Sequence, residues 1–151
     1  MDEGFARILV PYDGSKYSKK AIDVAIKIAR KFDSELYLLT AVERLLPSPS
    51  SNIMDYVDTK KLQKYLKASM SKIDLILRDE MLRCRENGVM TDYEIIEGSP
   101  TKTILSFAKK RKIDLIVIGS AGLAGIQKIM ALGSVSRKVS ELASCPVLIV
   151  R

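Results

Sequence analysis

No histidine occurs among the 151 residues. That absence removes the Ser-His-Asp triad, the Cys-His dyad and the common zinc ligand sets. It also removes the side chain that most readily serves as a general base near neutral pH. Cysteine is nearly as scarce, with Cys84 and Cys145 alone and no CxxC pair, which argues against a disulfide framework or a thiol-redox motif. Cys84 sits at an apolar position of a long helical pattern and Cys145 precedes Pro146 at the entry to the last strand, so both are expected reduced and partly buried. Aromatic residues make up 6% of the chain and form no stacking platform of the kind that reads bases. No apolar run approaches the roughly 20 residues needed to cross a bilayer. The opening MDEGFARILVPYDG has no signal-peptide plan, so the expected location is the cytoplasm, away from membranes.

What is present is ordinary for a globular protein: 47% hydrophobic and 28% charged residues. The length suits one domain, taken as residues 1–151. The net charge of +7 raises nucleic acid as a partner, but along the sequence the cations are dispersed over several helical patterns. The run Lys109-Lys110-Arg111-Lys112 falls in the last turn of a predicted helix, where cations offset the negative dipole end. Nucleic acid is therefore not the expected partner.

Strand and helix signals alternate regularly. Arg7 to Tyr12 (RILVPY) is a short apolar run and reads as a buried strand. Asp13-Gly14-Ser15 turns into a helix with apolar positions Ala21, Val24, Ala25 and Ile28. Glu35 to Val42 reads as the second strand, followed by RLLPSPSSNIM (Arg44 to Met54), a proline- and serine-rich insertion expected to be mobile. Leu62, Leu66, Met70, Ile73, Leu77, Met81 and Cys84 then step by four and three along a long amphipathic helix, closed by Asn87-Gly88. Thr91 to Glu97 alternates as an edge strand would. A helix over Thr101 to Lys112, a strand over Asp114 to Ile118, a helix beginning at Ser134 and a strand over Pro146 to Val150 complete the chain. This order predicts an α/β fold with a mostly parallel, doubly wound sheet covered by helices on both faces.

The most informative segment is Gly119 to Ser134, GSAGLAGIQKIMALGS, which joins a buried strand to a helix. Small residues at Gly119, Ser120, Ala121 and Gly122 let the backbone approach a ligand, and Gly133-Ser134 stands where unpaired helix N–H groups attract anions. Plain turn chemistry accounts for such glycines equally well. In an open parallel sheet, ligands bind beyond the strands' carboxyl ends where strand order reverses. The loops at those ends are Pro11-Tyr12-Asp13-Gly14-Ser15, Ala41-Val42-Glu43, Glu97-Gly98-Ser99 and the Gly119 segment. Asp13 suits a ribose hydroxyl, an adenine amine or a phosphate-bound metal, and equally the N-cap of the first helix.

Three blocks carry a family resemblance: ILVPYDGSKYSKKAIDVAIKIA, EGSPTKTILSFAKKRKIDLIVIGSAG and LGSVSRKVSELASCPVLIV. Together they run from Ile8 to Val150 and resemble a universal stress protein domain. The resemblance implies a Rossmann-like five-stranded sheet of order 3-2-1-4-5 and a homodimer through the last strand, residues 146–150. It also implies the pattern G-x-x-G, nine residues, G-[ST] of the ATP-binding branch. Gly119 and Gly122 match the first pair and Gly133 and Ser134 the second. Pro11, Asp13, Ala41 and Ile118 match positions that contact adenosine, and Val135 follows the phosphate serine. Here ten residues, not nine, separate Gly122 from Gly133.

Two functional readings follow. One is an ATP-binding regulatory or sensor module of the stress response that takes ATP or another adenine nucleotide, with Mg²⁺ or Mn²⁺ held through the phosphates. The other is a nucleotide-free dimeric interaction protein of the same fold, acting on a protein partner that the sequence does not name. Neither reading expects an enzyme beyond a slow ATPase, since no carboxylate pair stands at the loop. Lys128 is either a phosphate contact or a solvated side chain.

Overall fold

The computed structural model describes residues 4–43, 59–121 and 133–151. Its elements in chain order are β1 (Arg7–Pro11), α1 (Lys16–Phe32), β2 (Glu35–Val42), α2 (Thr59–Glu86), β3 (Thr91–Glu97), α3 (Pro100–Lys110), β4 (Leu115–Gly119), α4 (Ser134–Leu142) and β5 (Val147–Val150). The five strands form one sheet of order β3-β2-β1-β4-β5. Every pairing is parallel, with Ile8 opposite Leu36 on one side and Leu115 on the other. The insertion expected at Arg44 to Met54 lies outside the described residues.

Strand alternation divides the core into two layers, because successive side chains point to opposite faces. Ile8, Val10, Leu36, Leu38, Leu115 and Val117 meet Ala21, Ile22, Ala25 and Ile26 of α1 and Leu77 and Cys84 of α2. Leu9, Leu39, Ile116 and Ile118 meet Ile104, Phe107 and Ala108 of α3 and Val139 of α4. The central strands β1 and β4 are buried on both faces, which is why their sequences are apolar without alternation. β3 and β5 occupy the two edges, as the alternating pattern of β3 predicts.

Several boundaries differ from those read in the sequence. β4 starts at Leu115, because the Asp114 carboxylate accepts the Arg7 N–H at 2.8 Å and ends the ladder there. It continues through Gly119, which pairs with Val150. The buried stripe of α1 is Ala21, Ile22, Ala25, Ile26 and Ala29, while Val24 and Ile28 flank it half-buried. α3 ends at Lys110. Arg111 is its C-cap and Lys112 takes φ +52°, with Ile113 N–H bonded to Ala108 O (2.9 Å), so only Lys109 and Lys110 stand in the last turn. α2 closes as expected, with Gly88 at φ +80° and Val89 N–H returning to Cys84 O at 3.1 Å.

Candidate functional site at the β1–β4 junction

β1 and β4 are neighbours from which the chain winds outward in opposite directions, and the loops leaving their carboxyl ends converge. The first loop is braced by its own side chains. Asp13 Oδ1 accepts the Ser15 N–H at 2.9 Å, and Ser15 Oγ accepts the Ser18 N–H at 3.1 Å. Ser15, not Asp13, is therefore the N-cap of α1. Asp13 shapes the turn ahead of it and keeps an exposed carboxylate. Gly14 between them adopts φ +82°, a conformation that favours glycine.

The second loop leaves β4 through Gly119, Ser120 and Ala121. A Cβ on Gly119 would stand 2.8 Å from the Tyr17 carbonyl carbon and 2.9 Å from the Ser18 nitrogen. This glycine thus admits the first turn of α1. Ser120 is buried and ties three elements together. Its N–H donates to Val150 O (2.8 Å), and its carbonyl accepts from Gly133 N–H (2.7 Å) and Ser136 Oγ (3.0 Å). Ser15 Oγ lies 3.4 Å from Ala121 O, joining the two loops.

Gly133 is the N-cap of α4 in extended conformation and supplies no capping side chain. The first turn of α4 also has no acidic residue. The first turn itself thus supplies no carboxylate to compete for the backbone N–H groups of Ser134, Val135 and Ser136, which suits an anion. Ser134 is exposed, while Val135 packs half-buried against the α3/α4 layer.

The remaining positions contribute less directly. Pro11 ends β1 opposite Leu39. Tyr12 takes part through its backbone: its N–H donates to Leu39 O at 2.8 Å and its carbonyl accepts Thr40 Oγ1 at 2.7 Å. Its ring is buried in the α1/α2 layer. Burial first, and then the Glu80 and Asp13 carboxylates, hold its hydroxyl above the usual phenol pKa. Ala41 is half-buried near the end of β2, and Ile118 is buried in the α3/α4 layer. Gly122, with Gly125 and Lys128, lies outside the described residues. Sequence reasoning missed the bracing side chains Ser15, Thr40 and Ser136. The spacing Ser15-x-x-Ser18 was a readable capping signal; Ser136 carried none.

The geometry described is that of a widespread kind of fold, and comparison with known proteins narrows it. The model of the universal stress protein family matches residues 4–151. The chain belongs to this family. Among family members, universal stress protein YxiE of Bacillus subtilis is 38% identical over 149 residues, covering 97% of this chain and 99% of that one. The structure of universal stress protein UspA from Lactobacillus plantarum superposes with a TM-score of 0.84 at 27% identity, covering 98% and 99% of the two chains. A universal stress protein solved in complex with cAMP gives a TM-score of 0.68 at 27% identity, covering 99% and 98%. The family's sheet order agrees with that observed here. Among the described residues no helix is long and apolar enough to cross a membrane.

Proposed function

We propose that this family member binds an adenine nucleotide at the β1–β4 junction and acts as a nucleotide-regulated module of the stress response. The observation that carries the reading is the convergence of the Asp13 turn, the Gly119–Ala121 segment and the uncapped first turn of α4, locked by the bonds of Ser120 to Gly133 and Ser136. Asp13 offers an exposed carboxylate for ribose or adenine, and Ser134, Val135 and Ser136 offer N–H groups for phosphate. A similar protein holds cAMP, which supports adenine nucleotide as the ligand class. ATP is the form this reading favours, with Mg²⁺ or Mn²⁺ carried on its phosphate oxygens. The described residues contain no group of three or more His, Cys, Asp or Glu able to hold a metal by themselves. In this reading the chain's own contribution is to hold and orient the phosphates. A homodimer through β5 belongs to the same reading, since Val147–Val150 is an edge strand that pairs only with β4 among the described residues.

A second reading has its own support. Gly119 and Gly133 are both accounted for by internal packing, against Tyr17 and Ser18 and against Ser120 and Ala121. In that reading the chain is a nucleotide-free interaction protein whose longer loop has closed the site. Calorimetric titration of nucleotide-stripped protein with ATP, with and without Mg²⁺, and with AMP and cAMP decides between them. Micromolar binding, about −8 kcal/mol, supports the nucleotide module. No heat with any ligand, followed by affinity in a variant lacking Ala131, establishes the second reading. Sedimentation across a concentration series tests the dimer.

A further inference from the structure

Helix α1 contributes the floor of the candidate site through its N-terminus, but its solvent face has no part in that site. The segment Lys16-x-x-Lys19-Lys20 recurs eleven residues later as Lys27-x-x-Arg30-Lys31. Eleven residues make almost three whole turns, so the two triads fall on one face within about 20° of each other, separated by about 16 Å along the axis. All six side chains are exposed, and none forms an ion pair with a described residue. The helix has a single carboxylate, Asp23, placed between the triads. Arg83 of α2 takes it at 2.8 Å and brings a further cation to the stripe. Six of the chain's 25 Lys and Arg residues thus share one face of α1.

We propose that this face of α1 binds the phosphate backbone of duplex nucleic acid, without reading its sequence. A row of cations along one helix is the electrostatic footprint of such binding. The composition of the row favours this partner over others. Five of the six cations are lysines, which are depleted in protein–protein interfaces. A lipid surface calls for a row of exposed apolar side chains beside the charges, whereas Ala21, Ile22, Ala25, Ile26 and Ala29 of α1 are buried against the sheet, Val24 and Ile28 are half-buried, and Phe32 at the helix end is the one exposed large apolar residue of α1. Phosphate contacts by lysine need neither aromatic stacking nor groove insertion, so the scarcity of aromatics is no obstacle. The proposal is independent of what the nucleotide site holds.

The test is fluorescence anisotropy of the full chain with a labelled mixed-sequence duplex of about 25 base pairs, titrated at several salt concentrations. Six phosphate contacts give a slope of log K against log salt of about −5, hence a loss of affinity near a thousandfold between about 50 and 200 mM salt. Replacing Lys27, Arg30 and Lys31 with Gln should flatten the slope by about 2.7. Lys16→Arg, Lys19→Arg and Lys20→Arg together should keep it. As a control of equal charge, Lys102→Gln, Lys109→Gln and Lys110→Gln on α3 should leave binding within twofold. Equal weakening by the α1 and α3 sets would show that net charge alone binds and would overturn the proposal. So would the absence of saturable duplex binding at about 50 mM salt, or binding only to anionic lipid vesicles.

Discussion

Replacing Gly119 with alanine separates the two explanations for a glycine at the end of β4. If glycine is there for a ligand, the variant folds as well as the parent and loses affinity. If it is there for α1, stability falls before any ligand is added. The distances favour the second outcome. The new methyl group would lie 2.8 Å from the Tyr17 carbonyl carbon and Cβ and 2.9 Å from the Ser18 nitrogen. Two of those three atoms are backbone, held by the Ser15 cap, so they yield only if the first turn of α1 moves. Overpacking of this kind costs about 1–3 kcal/mol. Gly119 is not among the glycines with positive φ, so alanine fits its backbone conformation and recovers about 0.4–1 kcal/mol through the unfolded state. At the middle of those ranges, about 2 less about 0.7, the net loss expected is about 1.3 kcal/mol, which for a chain of this size lowers Tm by about 3–5 °C. Thermal unfolding of ligand-free protein, with urea unfolding to confirm the sign, provides the measurement. An unchanged Tm would refute the packing argument and return Gly119 to the ligand.

Three further outcomes follow from the same structure. Ser15→Ala removes the α1 cap and the bond toward Ala121, and should cost about 1 kcal/mol in urea unfolding; no loss would mean that Asp13 caps in its place. Leu77→Ala opens a cavity under the fully buried anchor of α2, costing about 2–5 kcal/mol, and hydrogen exchange should quicken along α2 before β1 or β4. Burial pushes the Cys84 thiol from 9.0 up to about 11. The unfolded chain ionises first, so this contribution is fully present below pH 9 and is lost as pH rises from 9 to 11, by up to about 3 kcal/mol. Buried tyrosines such as Tyr12 add to the same decline, so the decisive comparison is Cys84→Ala, whose stability should fall less steeply over that range.

Much of the fold was legible because its signals are local. RILV and LIVI are apolar without alternation because β1 and β4 are covered twice, and Gly88 marked the end of α2 because few other residues take its backbone conformation easily. Strand order was not carried by periodicity, which says that a strand is buried but not beside which neighbour; it came from the family resemblance. The sequence pointed to the loops that the structure brings together, but not to the bonds that hold them. Asp13 and Ser15 are both good capping residues two positions apart, and only the backbone direction at Gly14 decides that Ser15 caps. Gly119 left ligand approach and plain turn chemistry equally open, because sequence cannot show that Tyr17 and Ser18 stand against it. The structure also resolves the charge. Lys16, Lys20, Lys27 and Lys31 are interspersed with apolar residues in the sequence and lie in one row on the helix.

Ser120 has a practical consequence for anyone handling this protein. The backbone of this single residue accepts from Gly133 and Ser136 through its carbonyl and donates through its N–H to Val150, one residue from Arg151. An affinity tag or fluorescent fusion attached after Arg151 would exert its drag at the far end of that bond and transmit it to Ser120. Labels joined ahead of Gly4 meet the opposite end of the sheet, beside Phe5 and Phe32, whose rings stack edge to face at 5.7 Å. Reagents for binding measurements are therefore best built at the amino end, and an affinity that changes when the label moves to the carboxyl end would itself report on the tether through Ser120.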